Sequence, residues 1–227
     1  MRILAIDTAL AVCAAAVLDT EQPARGVRES LPMERGHAEA LMPLIGRVME
    51  RANIEFAGLD RLAVTTGPGS FTGLRVGISA ARAIALAAAK PAIGLSTLSC
   101  YAAPYIAQDD STPVAVAIDA RHEQVYLQVF GTAGRTLVSP RIASIKESVR
   151  TVPWGPVRIV GSSAKALAAA WPAGQPAPAL IEQRPAPDID WVARLGAAAQ
   201  DIYASPKPLY LRAPDAQPQD ASRLPRR

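Results

Sequence analysis

Aromatic residues make up only 5% of the 227-residue chain, which also has just two cysteines, two histidines and, beside twenty arginines, four lysines. Each scarcity excludes something. With few aromatics, the core has to be built from Ala, Val, Leu and Ile. Cys13 lies in a strand-like run and Cys100 in a helix-like one, and no C-x-x-C pair occurs. They supply neither a zinc knuckle nor a disulfide framework, and they fit a reducing compartment. His37 and His122 form no H-E-x-x-H pair, and a catalytic zinc with its three protein ligands cannot be assembled around them. His37-Ala38-Glu39 matches the first half of a deaminase signature whose P-C-x-x-C half is missing. No G-x-S-x-G nucleophile elbow exists. No basic leader precedes an apolar segment, and the apolar run from Ile78 to Ala89 contains Arg82 and is too short to span a bilayer. These absences predict a cytoplasmic protein with no membrane segment.

What is present is a foldable chain. Half of the residues are apolar, enough for one large core or two compact lobes. The net charge of +4 makes the protein weakly basic, without the clustered basic face of a non-specific nucleic-acid binder. The one dense basic group is Arg223, Arg226 and Arg227, readable as a solvated terminus or as an RNA-touching tail.

Apolar runs at Arg2–Ile6 and Ala11–Leu18 around the polar break Asp7-Thr8 read as a β-hairpin, with a third strand near Gly26–Leu31. Leu41, Ile45, Val48 and Ala52 place one apolar face on a helix over 37–51. Arg61–Thr66 is a buried-strand candidate, followed by a Gly-rich turn and a helix over about 72–89 that is apolar nearly all round and so buried on most faces. Pro91–Leu95 reads as a short strand. Val114–Ile118, Gln124–Phe130, Thr136–Ile142 and Val157–Val160 are further strands, and 189–203 a further helix. The alternation implies sheets with helices packed on them, and the two halves share an outline of hairpin strands followed by helices. The expected organisation is an N-terminal lobe over 1–104, with 205–214 packing back on it, a C-terminal lobe over 105–204, and a disordered polar tail over 215–227.

Few residues invite chemistry. Asp7 ends the first strand beside a turn, where a carboxylate can hold a metal-bound phosphate. An aspartate there also serves as a plain turn-former, and the turn through Thr8 has no lysine or glycine. Gly67-Pro68-Gly69 leads into a helix N-terminus whose free amides favour an anion. It lacks the G-K-[ST] of a P-loop, and Thr72 stands where a dinucleotide fingerprint needs glycine. Asp7, Thr8, Gly67 and Gly69 are therefore the nucleotide-binding candidates, and the glycines could equally serve only to reverse the chain. Gly73, Gly77 and Ala81 keep one helix face small, for close packing on the protein's own sheet or on a partner helix. Met42 and Met49, seven residues apart, share a face with Leu41 on the preceding helix. Asp119, Arg121 and Glu123 form a charged group after a strand.

In chain order stand Ile6-Asp7-Thr8, His37-Ala38-Glu39 with Leu41-Met42-Pro43-Leu44-Ile45, then Gly67-Pro68-Gly69-Ser70-Phe71-Thr72-Gly73-Leu74-Arg75-Val76-Gly77. Asp119-Ala120-Arg121 with Glu123, Val125-Tyr126 and Pro208-Leu209-Tyr210-Leu211-Arg212 follow. This set resembles the TsaB (YeaZ) family, well over residues 1–130 and thinly to 214. The resemblance implies an α/β, two-lobed actin-like ATPase (ASKHA) fold in which each lobe is a mixed sheet with packed helices. It implies a non-catalytic subunit that pairs with the catalytic paralogue TsaD, joined by the ATPase TsaE. The complex transfers threonylcarbamoyl from threonylcarbamoyl-AMP to N6 of adenosine 37 in tRNAs reading codons that begin with A. It further implies a homodimer when alone, no metal or cofactor of its own, and ATP or ADP only at the level of the complex. The partner face would be Leu41, Met42 and Met49 with Gly73, Gly77 and Ala81. Where the paralogue has an H-x-x-x-H metal motif, this chain has Thr97 and Tyr101. An autonomous ATPase or small-molecule kinase on the same fold is the alternative; a metallopeptidase is a third reading, without support in the residues.

Overall fold

The computed structural model describes residues 1–200 and 205–212. The first half runs β1 (Arg2–Asp7), β2 (Val12–Asp19), β3 (Val27–Pro32), α1 (His37–Ala52), β4 (Arg61–Gly67), α2 (Phe71–Ala88), β5 (Ala92–Ser96) and α3 (Thr97–Gln108). The second half repeats that order: β6 (Val114–Asp119), β7 (Gln124–Phe130), β8 (Thr136–Ser144), α4 (Ile145–Thr151), β9 (Arg158–Gly161), α5 (Ala164–Ala169), β10 (Leu180–Gln183) and α6 (Ile189–Ala198). Each half forms one five-stranded sheet, ordered β3-β2-β1-β4-β5 and β8-β7-β6-β9-β10. In both, the first three strands are antiparallel and the last two add in parallel. The fold is thus a duplicated α/β unit with two mixed sheets.

Alternation along the central strands sets the layers, because successive side chains point to opposite faces. Leu4 and Ile6 of β1 join Leu44, Ile45, Leu74 and Ile78 beneath α1 and α2. Ile3 and Ala5 face the other way, onto Ile189, Val192 and Ala193 of α6. In the second sheet Val114, Val116 and Ile118 meet Leu98, Tyr101 and Tyr105 of α3, while Ala115 and Ala117 face Val149 of α4 and Leu167 of α5. The last helix of each half therefore covers the sheet of the other. A boundary at residue 104 falls inside α3, and the segments that pack on each sheet are interleaved along the chain.

Two arginines at equivalent places pin this exchange. Arg61, opening β4, donates to the carbonyls of Gly196 (3.0 Å) and Ala199 (2.9 Å) at the end of α6. Arg158, opening β9, donates to the Tyr105 carbonyl at 2.6 Å and to those of Asp109 and Thr112, at and beyond the end of α3. Each guanidinium satisfies carbonyls that a helix C-terminus leaves without partners, and its charge complements the negative end of the helix.

The elements α1, β4 and α2 lie within one residue of their expected bounds. By contrast α4, α5 and β10, at 7, 6 and 4 residues, are too short to show a period. The helix expected over 189–203 ends at Ala198; residues 201–204 and the tail with Arg223, Arg226 and Arg227 lie outside the described residues. By length and composition α2 is apolar enough to cross a membrane, but its Leu74, Ile78 and Ala81 are buried in the first core.

Arg158 is nearly fully buried and Arg61 half-buried. Arg158→Met, which keeps the aliphatic stem and removes the donors, should lower unfolding free energy by about 2–4 kcal/mol, more than Arg61→Met does. Urea denaturation of the two variants checks this ranking; equal, negligible losses would mean the exchanged helices are held by apolar packing alone.

Candidate functional site

The turn after β1 is where the sequence places phosphate chemistry, and the structure brings Asp7, Thr8, Gly67 and Gly69 close together there. Asp7 is fully buried at the strand end. Its Oδ1 accepts from the Thr65 hydroxyl at 2.5 Å and from the Ala9 amide at 3.0 Å. Its Oδ2 has no hydrogen-bond partner. Burial pushes the carboxyl above its ordinary value, against the Thr65 and Ala9 hydrogen bonds and the His37 charge, which pull it down. A carboxyl so placed favours its protonated form. Thr8, also buried, donates its hydroxyl to the Gly73 carbonyl at 2.7 Å.

The Gly-rich loop closes over this turn. The Ser70 amide donates to the Ala9 carbonyl at 2.7 Å. A Cβ on Gly69 would lie 2.3 Å from the Ala9 carbonyl oxygen, one on Gly73 2.1 Å from that of Thr8, and one on Gly77 2.4 Å from the Thr8 hydroxyl. These glycines let α2 lie directly on the β1–β2 turn. The small face therefore packs on the protein's own backbone, one of the two readings open from sequence. Ser70 caps α2, accepting from the Gly73 amide, so the Ala9, Ser70 and Gly73 amides are each engaged within the chain. A buried carboxyl lies beneath the turn, and Ala9–Ala11 and Gly69–Thr72 form part of the lining of the cleft between the lobes.

Residues expected on a partner face separate. Leu41, Met49 and Ala81 are in the first core, and Gly73 and Gly77 are buried against Thr8; Met42 is 49% exposed. The correction has a geometric cause. The buried stripe of α1 runs through Leu41, Leu44, Ile45 and Val48, both methionines lie at its edge, and seven residues drift by about 20°. Met49 falls inside and Met42 outside. The exposed surface of α1 and α2 includes Met42, Gly46, Ser79, Ala83 and Leu86, the last at 84%, beside charged residues such as Glu39, Arg47 and Arg82.

Thr97 and Tyr101 are buried at the start of α3, and the Tyr101 hydroxyl donates to the Arg184 carbonyl at 2.9 Å. His37 sits 3.0 Å from the Leu10 carbonyl. Among the described residues no three His, Cys, Asp or Glu side chains gather as metal ligands.

Between the lobes lies a cleft of about 1060 Å³, lined by the β1–β2 turn, the start of α2, the β6–β7 turn, Lys165 and Leu209–Arg212. The segment at 205–212 straps across it. The Leu209 amide donates to the Thr66 carbonyl (2.7 Å), Tyr210 packs on Phe71 with centroids 5.1 Å apart, and Arg212 donates to the Ala120 carbonyl (2.7 Å). The strap thus joins the end of β4 to the β6–β7 turn. The exchange of α3 and α6 and its arginine pins were not visible in the sequence; the two strand-opening arginines, 97 residues apart in matching halves (158 − 61), were the only trace.

Duplicated mixed sheets enclosing a cleft define the two-lobed, actin-like ATPase class. A crystallised inorganic polyphosphate/ATP-glucomannokinase from Arthrobacter, 12% identical, shares the fold with a TM-score of 0.50 over 87% of this chain and 99% of that one. The family model for TsaD, tRNA N6-adenosine threonylcarbamoyltransferase, matches residues 19–158. The tRNA threonylcarbamoyladenosine biosynthesis protein TsaB of Escherichia coli is 38% identical over 126 residues, covering 56% of this chain and 53% of that protein. This match spans about half the length of that relative. A Pseudomonas aeruginosa protein, described as similar to peptidase YEAZ, superposes with a TM-score of 0.79 at 25% identity over 93% of this chain and 99% of that one. The chain belongs to the TsaB (YeaZ) family.

The raised Asp7 pKa makes a signed prediction. The folded state holds this proton more tightly than the unfolded one, so its contribution to stability is full below the ordinary 3.8 and is lost as pH rises through the folded value. Asp7→Asn, which keeps the shape and the two accepted hydrogen bonds, should be at least as stable as the parent at pH 7. The difference between variant and parent should grow from pH 4 upward, read from urea midpoints across pH. A variant less stable at pH 7 than at pH 4, relative to the parent, contradicts a proton on Asp7.

Proposed function

We propose that this chain is a non-catalytic scaffolding subunit in tRNA threonylcarbamoyladenosine biosynthesis. It pairs through the exposed face of α1 and α2 with a TsaD-type paralogue in the cytoplasm and forms a homodimer when alone. The observation that carries the reading is the β1–β2 turn, on which Gly69, Gly73 and Gly77 lie with no room for a side chain. A chain whose phosphate turn is closed in this way acts by what it binds, and this disfavours the autonomous ATPase or kinase. Any ATP or ADP then belongs to the assembled complex, where a TsaE-type ATPase joins and tRNA is the substrate. Threonylcarbamoyl transfer to N6 of adenosine 37 falls to the partner.

Gly46 supports the location of the partner face. It lies mid-helix in α1, one turn after the exposed Met42, and a Cβ there would meet nothing within 4 Å. Mid-helix glycine costs about 1 kcal/mol relative to alanine, and this fold gives no reason for it. A flat helix surface beside Met42, with Ser79, Ala83 and Leu86 exposed on the neighbouring α2, suits close approach of a second chain's helices. Gly46→Leu should fold with unchanged or slightly raised stability and yet lose co-purification with the TsaD-type protein. It should also lose tRNA modification in an assay where omitting the parent chain abolishes it. Retained capture by Gly46→Leu and by Leu86→Glu would move the interface elsewhere, and modification by this chain alone would end the scaffold reading.

A further inference from the structure

The charges that line the cleft between the lobes are not internally balanced. Arg35, just before α1, Arg121 in the β6–β7 turn, and Lys165 in α5 line it from three elements on both lobes. Among the described residues none of the three makes a hydrogen bond or ion pair with its side chain. Two further cations line it: Arg184, paired with Glu182, and Arg212 from the strap, bound to the Ala120 carbonyl. The opposing acids in the lining are Glu34 and Asp119, and Asp119 Oδ1 accepts the Arg121 amide at 2.9 Å. Unpaired like charges gathered across a concave surface focus a positive potential there and attract an anion.

The turn that carries Arg121 is itself unusual. Arg121, His122 and Glu123 are three consecutive non-glycine residues in the left-handed region, with φ of 61°, 52° and 57°. Such a conformation persists only where the surroundings hold it. Here the Ala120 amide donates to Gln124 at 3.0 Å, the Gln124 amide to Arg121 at 3.0 Å, and the strap's Arg212 grips the turn. At the opposite wall Phe71 and Tyr210 stack on each other, 37% and 41% exposed, with the Arg75 guanidinium 3.8 Å above the Phe71 ring.

We infer that this cleft is a binding groove for single-stranded RNA, with Arg35, Arg121 and Lys165 contacting phosphates and the Phe71–Tyr210 pair offering a face on which a base stacks. Spaced cations beside exposed aromatic faces in an open groove are how sequence-tolerant single-strand binding is built. The β1–β2 turn forms one wall of this groove, and with α2 packed on its Thr8 and Ala9 carbonyls the phosphates are placed along the cleft, against Arg35, Arg121 and Lys165. The choice of RNA rests on the reading of the chain as part of a tRNA-modifying assembly; the anion groove itself does not.

The test uses the full chain without any partner, so its outcome is separate from that of partner capture. A fluorescein-labelled single-stranded RNA decamer is titrated by anisotropy at several salt concentrations. Three phosphate contacts predict that log K falls with log salt at a slope of about −2, and each of Arg35→Gln, Arg121→Gln and Lys165→Gln should take about 0.7 from its magnitude. Tyr210→Ala should weaken binding about fivefold or more at every salt concentration. The inference is overturned if the parent chain does not bind the decamer at low salt. It is equally overturned if the three glutamine variants bind like the parent while Arg223→Gln/Arg226→Gln/Arg227→Gln abolishes binding, which puts the RNA on the tail. Displacement of the decamer by ATP at equal concentration would make the groove a nucleotide site and sink the RNA assignment.

Discussion

The exchange of α3 and α6 is the constraint from which the rest of the molecule follows. A five-stranded mixed sheet has two apolar faces to cover, and each half of this chain supplies only two helices to the outer one. Its third helix crosses to the other half, so that α6 buries Ile3 and Ala5 while α3 buries Val114, Val116 and Ile118. Neither half can close its core alone, and the two exchanged helices also pack on each other. Arg61 and Arg158 convert that arrangement from merely apolar to specific, because a helix shifted along its axis would strand carbonyls that the guanidinium groups now satisfy.

The same rigidity decides what the ends of the central strands can do. With β1 and β4 fixed side by side, Thr65 reaches Asp7, and the loop after β4 has a single place to go, down over the β1–β2 turn. Only glycine at 69, 73 and 77 permits that descent, since a side chain at any of these would overlap backbone or the Thr8 hydroxyl. An aspartate at a strand end and a Gly-rich loop before a helix, each suggestive of phosphate in isolation, here pack within the protein: Asp7 accepts from Thr65 and Ala9, and the loop lies on the Thr8 and Ala9 carbonyls. The cleft that remains is bounded by this same β1–β2 turn, the start of α2, the strap and the β6–β7 turn, and arginine and lysine side chains line it.

Much of this was legible in the residues. Apolar runs placed the hairpin strands and β4, and the 3.6-residue period placed α1; the apolar composition of α2 announced burial on most faces, whereas one side of it, with Ser79, Ala83 and Leu86, is exposed. The family motifs then carried the fold class, which no pattern of short apolar runs could. The failures have physical causes. α4, α5 and β10 are too short to express a period, so their stability is tertiary. Met42 and Met49 look equivalent in a seven-residue count, yet sit on either side of the edge of a stripe that drifts. Gly73 and Gly77 read as a surface for a partner because a sequence does not tell whose backbone a small residue admits. The helix exchange is a property of topology, and a chain with two similar halves is equally compatible with two separate lobes.

Residues that the fold explains are best set apart from those it does not. Gly67 and Gly161 hold φ of 114° and 118° at the ends of β4 and β9, and any side chain there would strike a backbone carbonyl; architecture accounts for them. Asn53 and Ala89, left-handed at the ends of α1 and α2, are ordinary helix stops. Gly46 and the run Arg121–Glu123 have no such account. One weakens a helix with nothing near it, and the other holds three side-chain-bearing residues in a conformation glycine would adopt freely. A sequence consistent at every other level departs from local preference where something outside the chain is served. The two departures lie on different surfaces, the α1–α2 face and the interlobe groove, which are the proposed partner face and the inferred binding groove.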